Sequence, residues 1–243
     1  MRTALIIARR ELAGYFATPV ATVFIVIFLV VQGALTFNAG NFFESGQDSL
    51  APFFTFLPWV LLLLVPAIAM RLWAEERRLG TVELLLSLPV RDWQAVLGKF
   101  LAAWSFCAVA IILTFPFVIT VNILGTPDNG PILAGYLGAF LMAGAFLAIG
   151  ATASALTKNQ VIAFVLGLAI CFAFAVASYP LVADFLGSNA PLAAAIVVHI
   201  GLLQRFQDFT RGIISLRDMI FFATFITFWL FLNAVIVEGR KAA

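Results

Sequence analysis

Along the chain, long apolar runs alternate with short polar breaks. Runs at residues 19–37, 52–73, 93–124, 132–156, 160–182 and 216–237 match the roughly 20 residues needed to cross a hydrocarbon core about 30 Å thick. They predict an all-α membrane protein with six transmembrane helices in one domain over residues 1–243. The breaks carry turn chemistry. Residues 125–131 read GTPDNGP, and Thr157, Lys158 and Asn159 form the shortest connection.

Three stretches have a mixed pattern instead. In residues 2–16, Leu5, Ala8, Leu12 and Phe16 share one helical face, with Arg9 close beside it and Arg2, Arg10 and Glu11 around it. This predicts an interfacial helix whose arginine stem snorkels toward headgroups, with a frayed leader as the plainer alternative. In residues 75–88, Leu79, Val82 and Leu86 fall at i, i+3 and i+7 among Glu75, Glu76, Arg77, Arg78 and Glu83. A short amphipathic helix is expected there, stopped by Pro89, with Asp92 capping the next helix. In residues 190–212 the apolar part is shorter than a span and contains His199, so outer re-entrant helices are expected, ending near Gly212. Ser215 and Asp218 then make a capping-box-like start for the last span.

Proline and small residues add detail inside the spans. Pro58 and Pro66 lie within the second run, which should therefore face protein, where freed backbone groups find partners. Pro116 is expected to kink the third run near its outer side. In the fourth run Gly135, Ala139 and Ala143, then Gly144 and Ala148, then Gly150 and Ser154 recur at intervals of four. Such stripes permit close helix approach, either within the subunit or at a seam between subunits.

Composition agrees with a membrane chain: 63% of the 243 residues are hydrophobic and 11% charged. The net charge of +2, without a basic polar face, argues against nucleic acid as a partner. Six crossings place Arg2, Arg9, Arg10, Arg71, Arg77, Arg78, Arg91, Lys99, Lys158, Arg240 and Lys241 on one side and only Arg205, Arg211 and Arg217 on the other. The positive-inside rule then predicts both termini in the cytoplasm. The opening residues lack a compact apolar core with a small-residue cleavage site, so no cleaved signal peptide is expected.

Chemistry of the catalytic kind is not expected. Gly98 and Lys99 hint at a phosphate loop, but Trp93 stands where its first glycine belongs and Phe100 where its hydroxyl residue belongs. A single histidine cannot form an HExxH zinc site, and there is no GxSxG elbow. None of the six runs has a clear central ionisable residue. Cys107 and Cys171 lie in apolar runs and read as buried thiols.

The stretch from Pro52, PFFTFLPWVLLLLVPAIAMR, followed by EERRLGTVELLLSLPV and QAVLGKF, resembles the permease of an ABC-2 type exporter, particularly the gliding-motility-type branch. His199, FTRGII from Phe209, Arg217 and Asp218 resemble that branch's closing pattern, and the likeness covers nearly the whole chain. It implies that residues 75–88 form a coupling helix docked on a separate cytoplasmic ATPase subunit, which would bind the ATP and Mg; this chain itself would hold no cofactor or metal. The coupling residues so implied are Glu75, Glu76, Arg77, Arg78, Gly80, Thr81, Glu83, Leu84, Leu85, Leu86, Ser87 and Pro89, with Lys158 and Asn159 as a second cytoplasmic contact. His199, Arg205, Arg211 and Gly212 become outer-gate candidates, although a hydrogen-bonded structural histidine is the plainer reading of His199. A second permease subunit, identical or related, membrane lipids and an auxiliary membrane subunit complete the implied partners in a bacterial inner membrane.

The mixture of charges and apolar anchors in residues 75–88 favours a docking helix over a merely polar loop. A membrane scaffold or force-transmitting subunit that moves no substrate would use the same helix. A passive channel fits poorly, because the spans lack a repeated polar face.

Overall fold

The computed structural model describes residues 2–40, 49–80, 91–179, 182, 197 and 199–239. Within them the chain is helical: α1 (Arg2–Ala17), α2 (Pro19–Ala34), α3 (Ala51–Ala69), α4 (Arg71–Leu79), α5 (Asp92–Ile112), α6 (Phe115–Leu124), α7 (Asn129–Leu156), α8 (Gln160–Val176), α9 (Leu202–Thr210) and α10 (Leu216–Gly239).

The helix α7 is the centre. Every residue from 142 to 155 is buried, and α3, α5, α8, α9 and α10 pack around it. Its small residues make this possible. A Cβ added to Gly135 would come within 2.6 Å of the Phe54 ring, one on Gly138 within 2.8 Å of Phe209, and one on Gly144 within 2.8 Å of Trp104. The small-residue stripe thus seats neighbours of the same chain. Asp128 starts the helix, its Oδ1 accepting from the Gly130 N–H at 2.9 Å.

Among the described residues, five stretches are long and apolar enough to cross a membrane: Ala21–Ala39, Ala51–Leu79, Asp92–Leu124, Asn129–Leu156 and Leu216–Gly239. The sixth expected span, 160–182, departs from the prediction. Its helix α8 is 17 residues long and ends at Val176, giving about 25 Å of rise. It still runs between both ends of the bundle: Asn159 caps its start beside the end of α7, and Ser178, just after it, meets Gly201 before α9.

Other boundaries shift for local reasons. The run 93–124 is two helices, because the chain breaks at Leu113 and Thr114, with Pro116 in the first turn of α6. The buried Thr114 hydroxyl bonds Ile111 O at 2.6 Å and lies 2.8 Å from the Tyr136 hydroxyl. The run 19–37 ends as an α-helix at Ala34 and closes with a wide π turn, Leu35–Ala39, in which Gly40 N–H reaches Leu35 O. Gln32, also buried, donates from Nε2 to Phe53 O at 2.9 Å, joining α2 to the proline-bearing α3. Asp92 is the first helical residue of α5, not its cap. The expected outer helical stretch, 190–212, contains α9 over Leu202–Thr210; residues 190–196 and 198 lie outside the described part.

Candidate coupling site and outer polar cluster

The expected helix at 75–88 is interrupted at Gly80. α4 starts at Arg71, directly after α3, and stops at Leu79 because Gly80 takes a left-handed conformation with φ 70°. Glycine adopts that geometry without a Cβ penalty and so ends helices readily. Glu75, Glu76, Arg77 and Arg78 therefore lie on a rod that prolongs the second span. Thr81, Glu83, Leu84, Leu85, Leu86, Ser87 and Pro89, with Val82 of the expected stripe, lie outside the described residues.

Between α3 and α4 the helical ladder is interrupted by a side chain from α7. The Ser154 hydroxyl accepts from the Trp73 N–H at 3.1 Å and the Ala74 N–H at 3.0 Å, and donates to Met70 O at 2.8 Å. Insertion of a polar side chain is a recognised cause of helix bending. Gly150, one turn before Ser154, lets the two helices touch: an added Cβ there would sit 2.5 Å from Ala69 Cβ.

A second fastening involves charge. Lys99 of α5 is buried, and its Nζ lies 2.6 Å from Glu76 Oε1 on α4 and 3.5 Å from Glu11 Oε1 on α1. It also sits 5.5 Å from the centroid of the Trp73 ring. Arg71 is committed to Glu75 at 3.0 Å along α4. α1 can approach α5 because Gly98 faces it, an added Cβ there falling 2.8 Å from Ala4 O. Tyr15 of α1 stacks on Phe106 of α5 at 5.5 Å. Burial, then the Glu11 carboxylate, pushes the Tyr15 phenol well above its ordinary value, so it stays neutral.

Arg78, Leu79 and Gly80 are exposed, and an added Cβ at Gly80 would meet nothing within 4 Å. Lys158 is exposed at the α7–α8 turn. Its neighbour Asn159 acts locally, its Oδ1 accepting from the Val161 N–H at 2.9 Å.

At the other end of the bundle, α9 buries Leu202, Leu203, Phe206 and Phe209 and turns its polar face outward. Arg205 pairs with the buried Asp218 of α10, donates to His199 O at 3.0 Å and lies 4.0 Å over the Phe221 ring. A polar basin of about 410 Å³ gathers His199, Gln204, Arg205, Asp208, Arg217 and Asp218. His199 itself is exposed and enters through its carbonyl. Arg211 is exposed, reaching Asp208 at 3.9 Å, and Gly212 ends the segment at φ 82° beside Pro131. The expected capping box is therefore only half made: Ser215 Oγ accepts from the Arg217 N–H at 3.2 Å, while Asp218 turns to Arg205. A charge-assisted bond to a guanidinium is stronger than a neutral backbone cap.

A family model described as ABC-2 family transporter protein matches residues 32–238. The chain belongs to the ABC-2 transporter family. It is thus a multi-pass membrane protein and a permease component of an ABC transporter, a family whose membrane chains associate with ABC ATPases. No curated protein matches the permease. The residues that the sequence pattern passes over are Lys99, Glu11 and Ser154: Lys99 reads there as a cytoplasmic charge and a failed phosphate-loop lysine, and Ser154 only as small. A lysine seven residues inside a span is the available signal for the first.

Proposed function

We propose that this permease belongs to the gliding-motility-type branch of ABC-2 exporters and couples ATP hydrolysis on a separate cytoplasmic subunit to export of its cargo. It crosses the membrane six times, α8 serving as the short sixth crossing, with both termini in the cytoplasm of a bacterial inner membrane. Residues 75–89 form the docking region for the ATPase, with Lys158 and Asn159 as the adjoining contact. A second permease copy or a related chain completes the pathway.

The observation that carries this reading is the prolongation of the second span into α4, ending in the exposed Arg78, Leu79 and Gly80. A rod that joins a spanning helix packed inside the bundle to an exposed tip is suited to carry a push from a soluble subunit. The positive charges gathered at that end support the orientation.

Tagged purification in mild detergent, followed by mass spectrometry, tests the proposal. A stoichiometric P-loop ATPase, lost when Leu85 and Leu86 are replaced by charged residues, is the expected result. Purification alone, or with a protein that lacks a nucleotide site, overturns it. Reconstitution separates transport from force transmission: ATP-dependent export by the complex is expected, and hydrolysis without any export would favour the force-transmitting subunit.

A further inference from the structure

Two fastenings of different chemistry act on α4. The first is the Ser154 hydroxyl, fully buried, which joins α7 to the start of α4 through two accepted bonds and one donated bond. Breaking it would leave two backbone N–H groups without partners in a site closed to water. The second is Lys99, whose side chain is 3% exposed, while its partners Glu11 and Glu76 are 22% and 21% exposed. A cleft of about 240 Å³ lies beside them, lined also by Tyr15, Arg71 and Glu75. Water in that cleft can replace a carboxylate partner. It cannot replace Ser154.

The charges point the same way. One cation serves two carboxylates from different helices, and the neighbouring Arg71 already bonds Glu75. Without Lys99, Glu11 and Glu76 would face each other across the same space. Past Glu76, α4 ends in the exposed Leu79 and Gly80.

We infer that α4 pivots about Ser154 and that Lys99 is the positioning residue whose hold on Glu76 and Glu11 keeps α4 closed against α5 and α1. Releasing the lysine frees the arm from Ala74 to Leu79, about 8 Å of helix, while α3 stays seated on Gly150. Because the same lysine reaches Glu11, α1 loses a polar contact in the same event, while the Gly98 approach and the Tyr15–Phe106 stack still seat it on α5. The part this plays in coupling rests on the proposed function; the pivot rests on the chain alone.

The test uses the full chain in lipid nanodiscs, with Cys107 and Cys171 replaced by alanine. Spin labels on Leu79→Cys and Trp93→Cys, both exposed positions, report the α4–α5 gap by pulsed electron resonance. A control pair on Leu63→Cys and Leu133→Cys reports the seating of α3 on α7. Lys99→Met should add a population about 4 Å longer at the first pair, the travel of that arm through roughly 30°, and leave the control pair alone. Lys99→Arg should keep the short distance. Neutralising the carboxylates as well, in Lys99→Met with Glu11→Gln and Glu76→Gln, should largely restore it. An unmoved first pair in Lys99→Met, or a control pair that moves with it, overturns the pivot.

With a bound ATPase, ATP and vanadate should produce the longer population in the protein with Lys99 intact. Hydrolysis with an unmoved distance overturns the latch as a part of coupling and leaves the permease reading standing. Failure to bind any ATPase removes the proposed coupling, while the nanodisc result still decides the pivot.

Discussion

Gly150 and Ala69 meet where no side chain fits between them: a Cβ on Gly150 would stand 2.5 Å from Ala69 Cβ. The contact brings the backbone of α7 against the last turn of α3, and it places Ser154 within reach of the α3–α4 joint one turn later. Both features follow from small residues at intervals of four in a helix.

Gly150→Leu should therefore be among the most damaging single changes. Overpacking of this kind costs about 1–3 kcal/mol where neighbours can shift, and here the neighbour is the short Ala69 side chain with Pro66 behind it. A clear drop in the melting temperature of the detergent-purified chain is expected. Gly150→Ala should show a smaller drop in the same direction.

Ser154→Ala removes the hydroxyl and keeps the volume close. The Trp73 and Ala74 N–H groups and Met70 O must then find each other across the joint or go unpaired, at a cost of about 1–3 kcal/mol. Hydrogen exchange should rise at residues 70–74 and stay unchanged at Phe54, at the far end of α3. Protection that is equal in both proteins would show that the hydroxyl does not hold the joint.

Arg205 and Asp218 form a pair in which Asp218 is only 4% exposed. Breaking such a pair from one side leaves a buried charge, so Arg205→Ala should destabilise by about 3 kcal/mol. Arg205→Ala combined with Asp218→Asn should cost less than Arg205→Ala alone, because no orphaned carboxylate remains. Thermal unfolding of the three variants checks the order.

Gly80 is a test of backbone conformation free of crowding, since nothing lies within 4 Å of an added Cβ. At φ 70°, Gly80→Val should cost about 1–2 kcal/mol locally, and Gly80→Asn much less. Where α4 works as a lever, the valine variant should assemble with the ATPase yet lose coupled hydrolysis, and the asparagine variant should retain it. Equal coupling in both would argue against a defined end to the lever.

The sequence by itself determined the helical class, the positions of most apolar runs and the membrane setting. Those properties depend on hydrophobic length, which is local: a run such as 132–156 is apolar enough to be a span whatever surrounds it. Gly80 as a helix end was equally within reach of the sequence, since its stop signal is a single residue, but the i, i+3, i+7 pattern of Leu79, Val82 and Leu86 draws the helix through it. Periodicity records which face a helix would bury and says nothing about where the backbone turns.

Only the tertiary structure decided which polar residues meet. Ser154 and Trp73 are 81 positions apart, Lys99 and Glu76 are 23 apart, and Arg205 and Asp218 are 13 apart. No periodic signal spans such distances. A serine in an apolar helix looks small, and a lysine near a span's end looks like a surface charge, until packing closes water out around them. Burial then makes each bond expensive to lose, and that cost, set by the neighbours, makes the α3–α4 joint and the Lys99 cluster candidates for function.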